Sequence, residues 1–551
     1  MSRTLTIFHV TDVHARVGVT PKVLPGLEHL VRPDRPGREL FAGLAGVDAL
    51  LQEEMARLPD DSASMLVCCG DLVGQEVATD RQTRGAITFQ AMQQLALRSG
   101  VDAAVLVVGN HEMDHGVDRA TELLGGAHPF VVVAGNLGVD GEPSSAPIVD
   151  LDVQGLRVGV LGLTTPQTAK DAPADDRPRL ATVDPVDAAR AALAADETDR
   201  DVLLAAVHLF DPQDQRVCSL DGVDLLIGGH THALLSGPLG TRAISREKAG
   251  AHGIALGRAV LRIDRGVARV VRSRTALLPP DVPPAADSPL LALHDAALAA
   301  AQQDPAAATA IARADHVIGS ISDLRTGDPC ALGRAVAQGL LEGAAERVDE
   351  TIHAAFVNAG NVRADIVPSR GLVSRAALHD VLAYANELVI VELDAAGLRR
   401  VLQTAVLNLK LDMAGWLHTA GLSFHVPTDA LIGPIHVAIP RGNKAPLRVP
   451  IEDLAVVRVA TIDWLADGGH HLDVLTGAPQ RRTGVKAADA WADALVARSL
   501  GAQPAALTAP PPTTSVDAGF RCTDTQTVLN ALAPSPDAAV SWALDLIAED
   551  A

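Results

Sequence analysis

The first half of the chain is punctuated by short runs of Val, Leu, Ile and Ala that do not alternate with polar residues: 5–10, 65–69, 103–108, 130–134, 158–163, 202–207 and 223–227. Successive side chains of a strand point to opposite faces, so a strand with one wet face alternates apolar and polar residues. Continuous apolar runs instead predict strands covered on both faces, as in a layered α/β fold. Ala-rich and polar stretches between the runs supply the helices.

The residues standing just past these runs carry the chemistry. They are Asp12-Val13-His14, Gly70-Asp71-Leu72-Val73-Gly74, Gly109-Asn110-His111-Glu112-Met113-Asp114, His208, and Gly228-Gly229-His230-Thr231-His232. In an open α/β sheet, residues beyond the carboxyl ends of the strands meet in one crevice. The i, i+2 spacing of Asp12/His14 and His230/His232 turns each pair to the same side of an extended segment. A mixed imidazole, carboxylate and amide set suits Mn, Zn, Fe or Co better than a thiolate or Mg-only site. Asp12, His14, Asp71, Asn110, His208, His230 and His232 are donors enough for two divalent ions sharing a carboxylate, an arrangement that activates water and clamps a phosphoryl oxygen. A single histidine reads as structural, and His9, inside the first run, is read so; Glu112 is read as a supporting group. Coincidence does not account for five such motifs in order.

Composition narrows the partners. The 551 residues carry a net charge of −21 and only 8 Phe, 4 Trp and 1 Tyr. An acidic chain without an aromatic platform is a poor match for a nucleic-acid polymer. No run reaches the about 18 apolar residues of a membrane span, and the N-terminus lacks a signal-peptide pattern. The 5 cysteines, an odd number, read as reduced thiols, so the expected compartment is the cytoplasm. Pro-rich punctuation at 278–289 sets expected boundaries: a first domain at 1–283, an Ala-rich connecting helix within 284–314 (about 290–314), a second α/β domain at 315–500, and at 501–551 a Pro/Thr linker (509–514) with a helical tail near 538–547.

The strand-end motifs resemble, one by one, those of the calcineurin-like metallophosphoesterases. The resemblance implies one metal held by Asp12, His14, Asp71 and His232 and a second held by Asp71, Asn110, His208 and His230. It places His111 outside the metal shell, acting on the substrate phosphate, with Asp114 to orient its ring. The second half resembles the C-terminal substrate domain of the bacterial 5′-nucleotidase family. It does so through Asn358-Ala359-Gly360-Asn361-Val362-Arg363, Tyr384-Ala385-Asn386 and Gly468-Gly469-His470-His471-Leu472. That likeness implies nucleotide contacts from Asn358 and Arg363, an aromatic face from Tyr384, and a further basic group at Arg325. Where the family places a second ring, this chain has Leu472. The expectation is an N-terminal layered α/β metallophosphoesterase sandwich, a connecting helix and a C-terminal α/β substrate-binding domain. Its expected activity is dinuclear-metal hydrolysis of a small nucleotide-like phosphate ester. The alternatives are a thiosulfohydrolase-like sulfur-ester hydrolase and a non-catalytic nucleotide or metal sensor.

Overall fold

The computed structural model describes residues 3–18, 20–22, 39–59, 62–74, 77–240, 243–264, 267–278, 284, 286–301, 309–316, 318, 330–366, 368, 371–384, 386–410, 415–427, 432–441, 444–499 and 504–516. The chain divides into two compact units, Met1–Ala301 and Gln302–Ala551.

In the first unit, β1 (Arg3–Val10), β2 (Ala63–Cys68), β3 (Ala103–Val107) and β4 (Phe130–Val133) run parallel. A second sheet contains β5 (Ile148–Val153), β6 (Leu156–Thr164), β7 (Val202–His208), β8 (Leu225–Gly228), β9 (Leu234–Leu239) and β10 (Ile244–Ala249). There β6, β7, β8 and β10 are parallel neighbours in turn. The chain then returns to the first sheet through the antiparallel β11 (Ala255–Asp264) and β12 (Val267–Leu277). The sheet orders are β12-β11-β1-β2-β3-β4 and β9-β10-β8-β7-β6-β5.

Alternate residues of each strand go to different cores. Leu5, Ile7, Met65, Val67 and Val105 meet Val158, Val160, Leu204, Ala206 and Ile227 between the sheets. Phe8, Val10, Leu66 and Cys68 turn outward against Leu44 and Leu51 of α1 (Gly43–Met55) and Met92 and Leu95 of α2 (Ala86–Ser99). On the far side, Leu161, Ala205 and Leu226 pack on Val186 of α3 (Pro185–Ala195) and Val217 of α4 (Asp211–Cys218). Helices, sheet, sheet and helices form the stack, which is why the central parallel strands are mostly apolar on both faces. Each of the seven apolar runs is a strand, with ends within two residues of those read from sequence.

The connector differs from expectation. Instead of one helix over 290–314, α5 (Pro289–Ala301) ends within the first unit, and Leu290 is buried in the α1–α2 core. Residues Ala310–Arg313 are a strand paired with Leu372–Ser374 and Ala505–Ala506. Helix propensity loses there to sheet pairing with segments far off in sequence, which no local pattern announces. The Pro/Thr stretch also differs from an open linker: the Pro510 carbonyl accepts from Arg334, and Thr514–Val516 pairs with Leu422–Val426. An extended Pro-rich segment has no internal hydrogen bonds to give up on joining a sheet. The tail at 538–547 lies outside the described residues.

In the second unit, β13 (Ala354–Asn358), β14 (Glu387–Leu393), β15 (Leu417–Ala420), β16 (Val457–Ile462) and β17 (Gln480–Lys486) form one sheet ordered β15-β13-β16-β14-β17. Phe356 and Trp491 anchor its core with α6 (Ala331–Ala345), α7 (Ala395–Lys410) and α8 (Ala487–Ala497). Gly339 on α6 lets that helix lie against the Trp491 ring, where a Cβ would approach to 2.3 Å. Cys68, Cys69, Cys218 and Cys330 are buried.

Candidate metal centre

The parallel strands of both sheets in the first unit deliver their carboxyl ends to one place. The loop after β1 is tied to the loop after β2: the amides of Asp12, His14 and Ala15 donate to the carbonyls of Gly70, Asp71 and Leu72 at 2.8–3.0 Å. Glu112 binds the loops rather than a ligand position, accepting from the amides of Asp71, Leu72 and Gly109 at 3.0, 2.7 and 2.6 Å. Burial pushes its carboxyl up to about 7. Gly109 has to be glycine, since a Cβ would lie 2.2 Å from Asp71 Oδ1.

The donors fall into two groups. In one, His14 Nε2 lies 3.0 Å from His232 Nε2 and 3.8 Å from Asp71 Oδ2, and His232 Nε2 lies 3.5 Å from Asp12 Oδ1. The Asp12 carboxylate is aimed by the His230 amide and the Thr11 hydroxyl. In the other, His208 Nε2 lies 3.1 Å from Asp71 Oδ2, 3.2 Å from Asn110 Oδ1 and 3.2 Å from His230 Nδ1. Asp71 stands in both groups.

These residues fit a cation. His208 Nδ1 lies 2.6 Å from the Cys69 carbonyl, which only accepts, so Nδ1 carries the ring proton. The lone pair on Nε2 then faces a carboxylate oxygen and an amide oxygen, an assembly of acceptors that only positive charge satisfies. Without a metal, burial opposes protonation but the Asp71 carboxylate overrides it, lifting His208 to about 9. Burial would raise Asp71 as well, yet His208 and His111 hold it well below the usual carboxylate range. Burial and the neighbouring His208 keep His230 neutral, the form that binds metal.

His111 sits on a short 3₁₀ turn, His111–Met113, with Nδ1 3.0 Å from Asp114 Oδ2 and its ring 4.8 Å from that of His14. Sequence reasoning passed over Lys248 on β10, which is buried and reaches the Leu209 carbonyl, Thr231 Oγ1, Asp211 and Asp214. It braces the residue after His208 and the residue between His230 and His232. It also passed over Asp80, whose carboxylate meets His115 at 2.9 Å. His9 is buried in β1, as a core residue.

In the second unit, Asn358, Asn361 and Asn386 form an amide chain, with Asn361 Nδ2 2.7 Å from Asn358 Oδ1 and Asn386 Nδ2 2.6 Å from Asn361 Oδ1. The Arg363 guanidinium lies over the Tyr384 ring, 5.7 Å from its centroid. Leu472 is fully buried in the core and offers no face to a ligand, whereas the half-buried His470 ring stands edge-on to Trp464. Arg325 lies outside the described residues.

Residues 5–234 match the family described as calcineurin-like phosphoesterase, and residues 310–477 match the 5′-nucleotidase C-terminal domain. The chain pairs a calcineurin-like phosphoesterase domain with a 5′-nucleotidase C-terminal domain. This phosphoesterase is 25% identical to the trifunctional nucleotide phosphoesterase protein YfkN of Bacillus subtilis over 69% of its own length, but spans only 28% of that protein. It is 23% identical to the 5′-nucleotidase of Diplobatis ommata, covering 86% of this chain and 83% of the relative. The crystal structure of a Thermus thermophilus 5′-nucleotidase precursor shares its fold, with a TM-score of 0.72 over 93% of this chain and 99% of that one at 23% identity. The phosphoesterase domain implies divalent metal at the His/Asp groups. No helix among the described residues is long and apolar enough to cross a membrane.

Proposed function

We propose that this phosphoesterase hydrolyses nucleotide-like phosphate esters with two divalent ions, one held by Asp12, His14, Asp71 and His232 and the other by Asp71, Asn110, His208 and His230. The observation that carries this reading is the bare Nε2 of His208 facing Asp71 and Asn110, with Asp71 common to both donor groups. When bound, such a pair supplies a nucleophile from water at neutral pH and neutralises charge on the phosphoryl oxygens.

The chain's own residues do the rest. Asp114 accepts the His111 Nδ1 proton and fixes the ring, leaving Nε2 to donate to a phosphate oxygen or to the leaving oxygen. Glu112 keeps the Asp71 and Gly109 loops at a fixed separation through its three amide contacts. In the second unit, Arg363 and Asn358 bind the polar part of the alcohol moiety. Tyr384 supplies one flat face for a base, and the buried Leu472 supplies none, so base discrimination is loose.

The test is turnover of p-nitrophenyl phosphate and of a panel of mononucleotides, cyclic nucleotides and UDP-sugars by metal-replete protein. Hydrolysis that Asp71→Ala abolishes for every substrate turned over supports the proposal. Full activity of Asp71→Ala would overturn it.

A further inference from the structure

The strand-end motifs account for seven donors, yet the turn between β10 and β11 brings another imidazole to them. The ring of His252 lies 5.5 Å from both His14 and His232, steeply inclined to each at 83° and 71°. The ligand-type atoms of these three histidines lie within 4.8 Å of one another. The turn is held from two sides. The His252 amide donates to the Asp12 carbonyl at 2.7 Å. The next residue, Gly253, lies so close to α1 that a Cβ there would stand 2.8 Å from the Gly43–Leu44 backbone.

The backbone of His252 carries a second mark. Its φ is +63°, in the left-handed region that a histidine adopts only at a cost. Asp12, His14, Asp71, His230 and His232 have φ of +51°, +45°, +52°, +77° and +57°. Strain of this kind persists where surrounding contacts over-determine a side-chain position. His252 therefore shares both the location and the backbone state of the strand-end donors, although it comes from a different loop.

We propose that His252 is a further ligand at the site of Asp12, His14, Asp71 and His232, giving that site three imidazoles. The inference rests on the two-ion reading above and adds a selectivity to it. Imidazole-rich sets suit Zn, Fe, Co and Ni, whereas carboxylate-rich sets suit Mn and Mg. His252 thus biases one of the two sites toward the first group and leaves the Asn110–His208–His230 site unchanged.

The experiment titrates the metal-free full-length protein with Co²⁺. It reads bound equivalents and affinity by equilibrium dialysis with elemental analysis, and the ligand field by visible absorption per bound Co²⁺. His252→Gly removes the ring and suits the positive φ; His252→Asn also tolerates that backbone and serves if the glycine variant does not fold. Wild type should bind two equivalents. The variants should keep one unchanged, lose at least about tenfold affinity for the other, show an altered absorption band, and discriminate less between Co²⁺ and Mn²⁺. Two equivalents with unchanged affinity overturn the proposal. So does weakened binding with an unaltered spectrum, which makes His252 an outer-sphere partner. Wild-type protein that binds no Co²⁺ would instead overturn the two-ion reading itself.

Discussion

Lys248 Nζ lies 2.7 Å from Asp214 Oδ2, and both side chains are sealed from solvent at 1% and 0% exposure. The same ammonium also reaches the Leu209 carbonyl and Thr231 Oγ1, so one buried charge braces both histidine-bearing loops of the second sheet. Lys248→Met leaves the buried Asp214 with Arg246 alone, at 3.6 Å. The expected loss is about 3–5 kcal/mol of stability and about 10–100-fold in metal affinity, the range for outer-sphere partners of ligands. The double variant Lys248→Met/Asp214→Leu should recover stability in denaturant melts but not metal affinity in chelator competition. Recovery of both would mean that Lys248 serves the core alone.

His111→Ala should lower kcat about 10²–10⁴-fold, the usual range for a general acid, while metal content by elemental analysis stays at the wild-type value. Asp114→Asn should lower it less, because the ring stays in place but loses the acceptor that fixes its proton. Loss of metal from His111→Ala would move that residue into the ligand set.

Arg363→Ala and Tyr384→Ala should raise KM for mononucleotides and leave p-nitrophenyl phosphate nearly untouched, since that ester has no base or ribose. A single stacked face is worth about 1–3 kcal/mol, equivalent to about 5–150-fold in KM. Equal effects on both substrates would detach this pair from nucleotide recognition.

His9 predicts acid sensitivity. Burial lowers its pKa to about 4, against about 6.5 unfolded. The unfolded state therefore binds the extra proton between these values. The stability contributed by keeping the ring neutral is complete above about pH 6.5 and is lost as pH falls toward 4. The difference is about 3 kcal/mol. His9→Gln, compared with wild type in melts at pH 7 and pH 4.5, should lose less stability on acidification. An equal loss in both would clear His9 of the effect.

The strands and their terminal donors were legible because both are local. An unbroken Val/Leu/Ile run reports double-sided burial, and Asp12/His14 and His230/His232 announce themselves by spacing. Lys248 and His252 were not legible, because their role depends on β10 and β11 returning beside loops far away in sequence, and neither lies in a motif. The segment at 310–313 misled for the same reason: its partners come from residues near 372 and 505. Leu472 was visible as a missing ring, but its burial in the core belongs to packing and not to pattern.

The ligand loops are shared between two separate sheets. Asp12, His14, Asp71 and Asn110 follow strands of one, and His208, His230 and His232 end or follow strands of the other. A cation gripped by both is a rivet at the end of a seam held mainly by apolar contact, with a few hydrogen bonds such as those of His208 to Cys69 and of His230 to Asp12. It cannot be captured until residues 12 and 232 have both emerged and both sheets have formed, so metal loading is a closing event in the maturation of this chain. Stripping the ions should undo the rivet and leave the plates, with secondary structure intact and the thermal transition lowered.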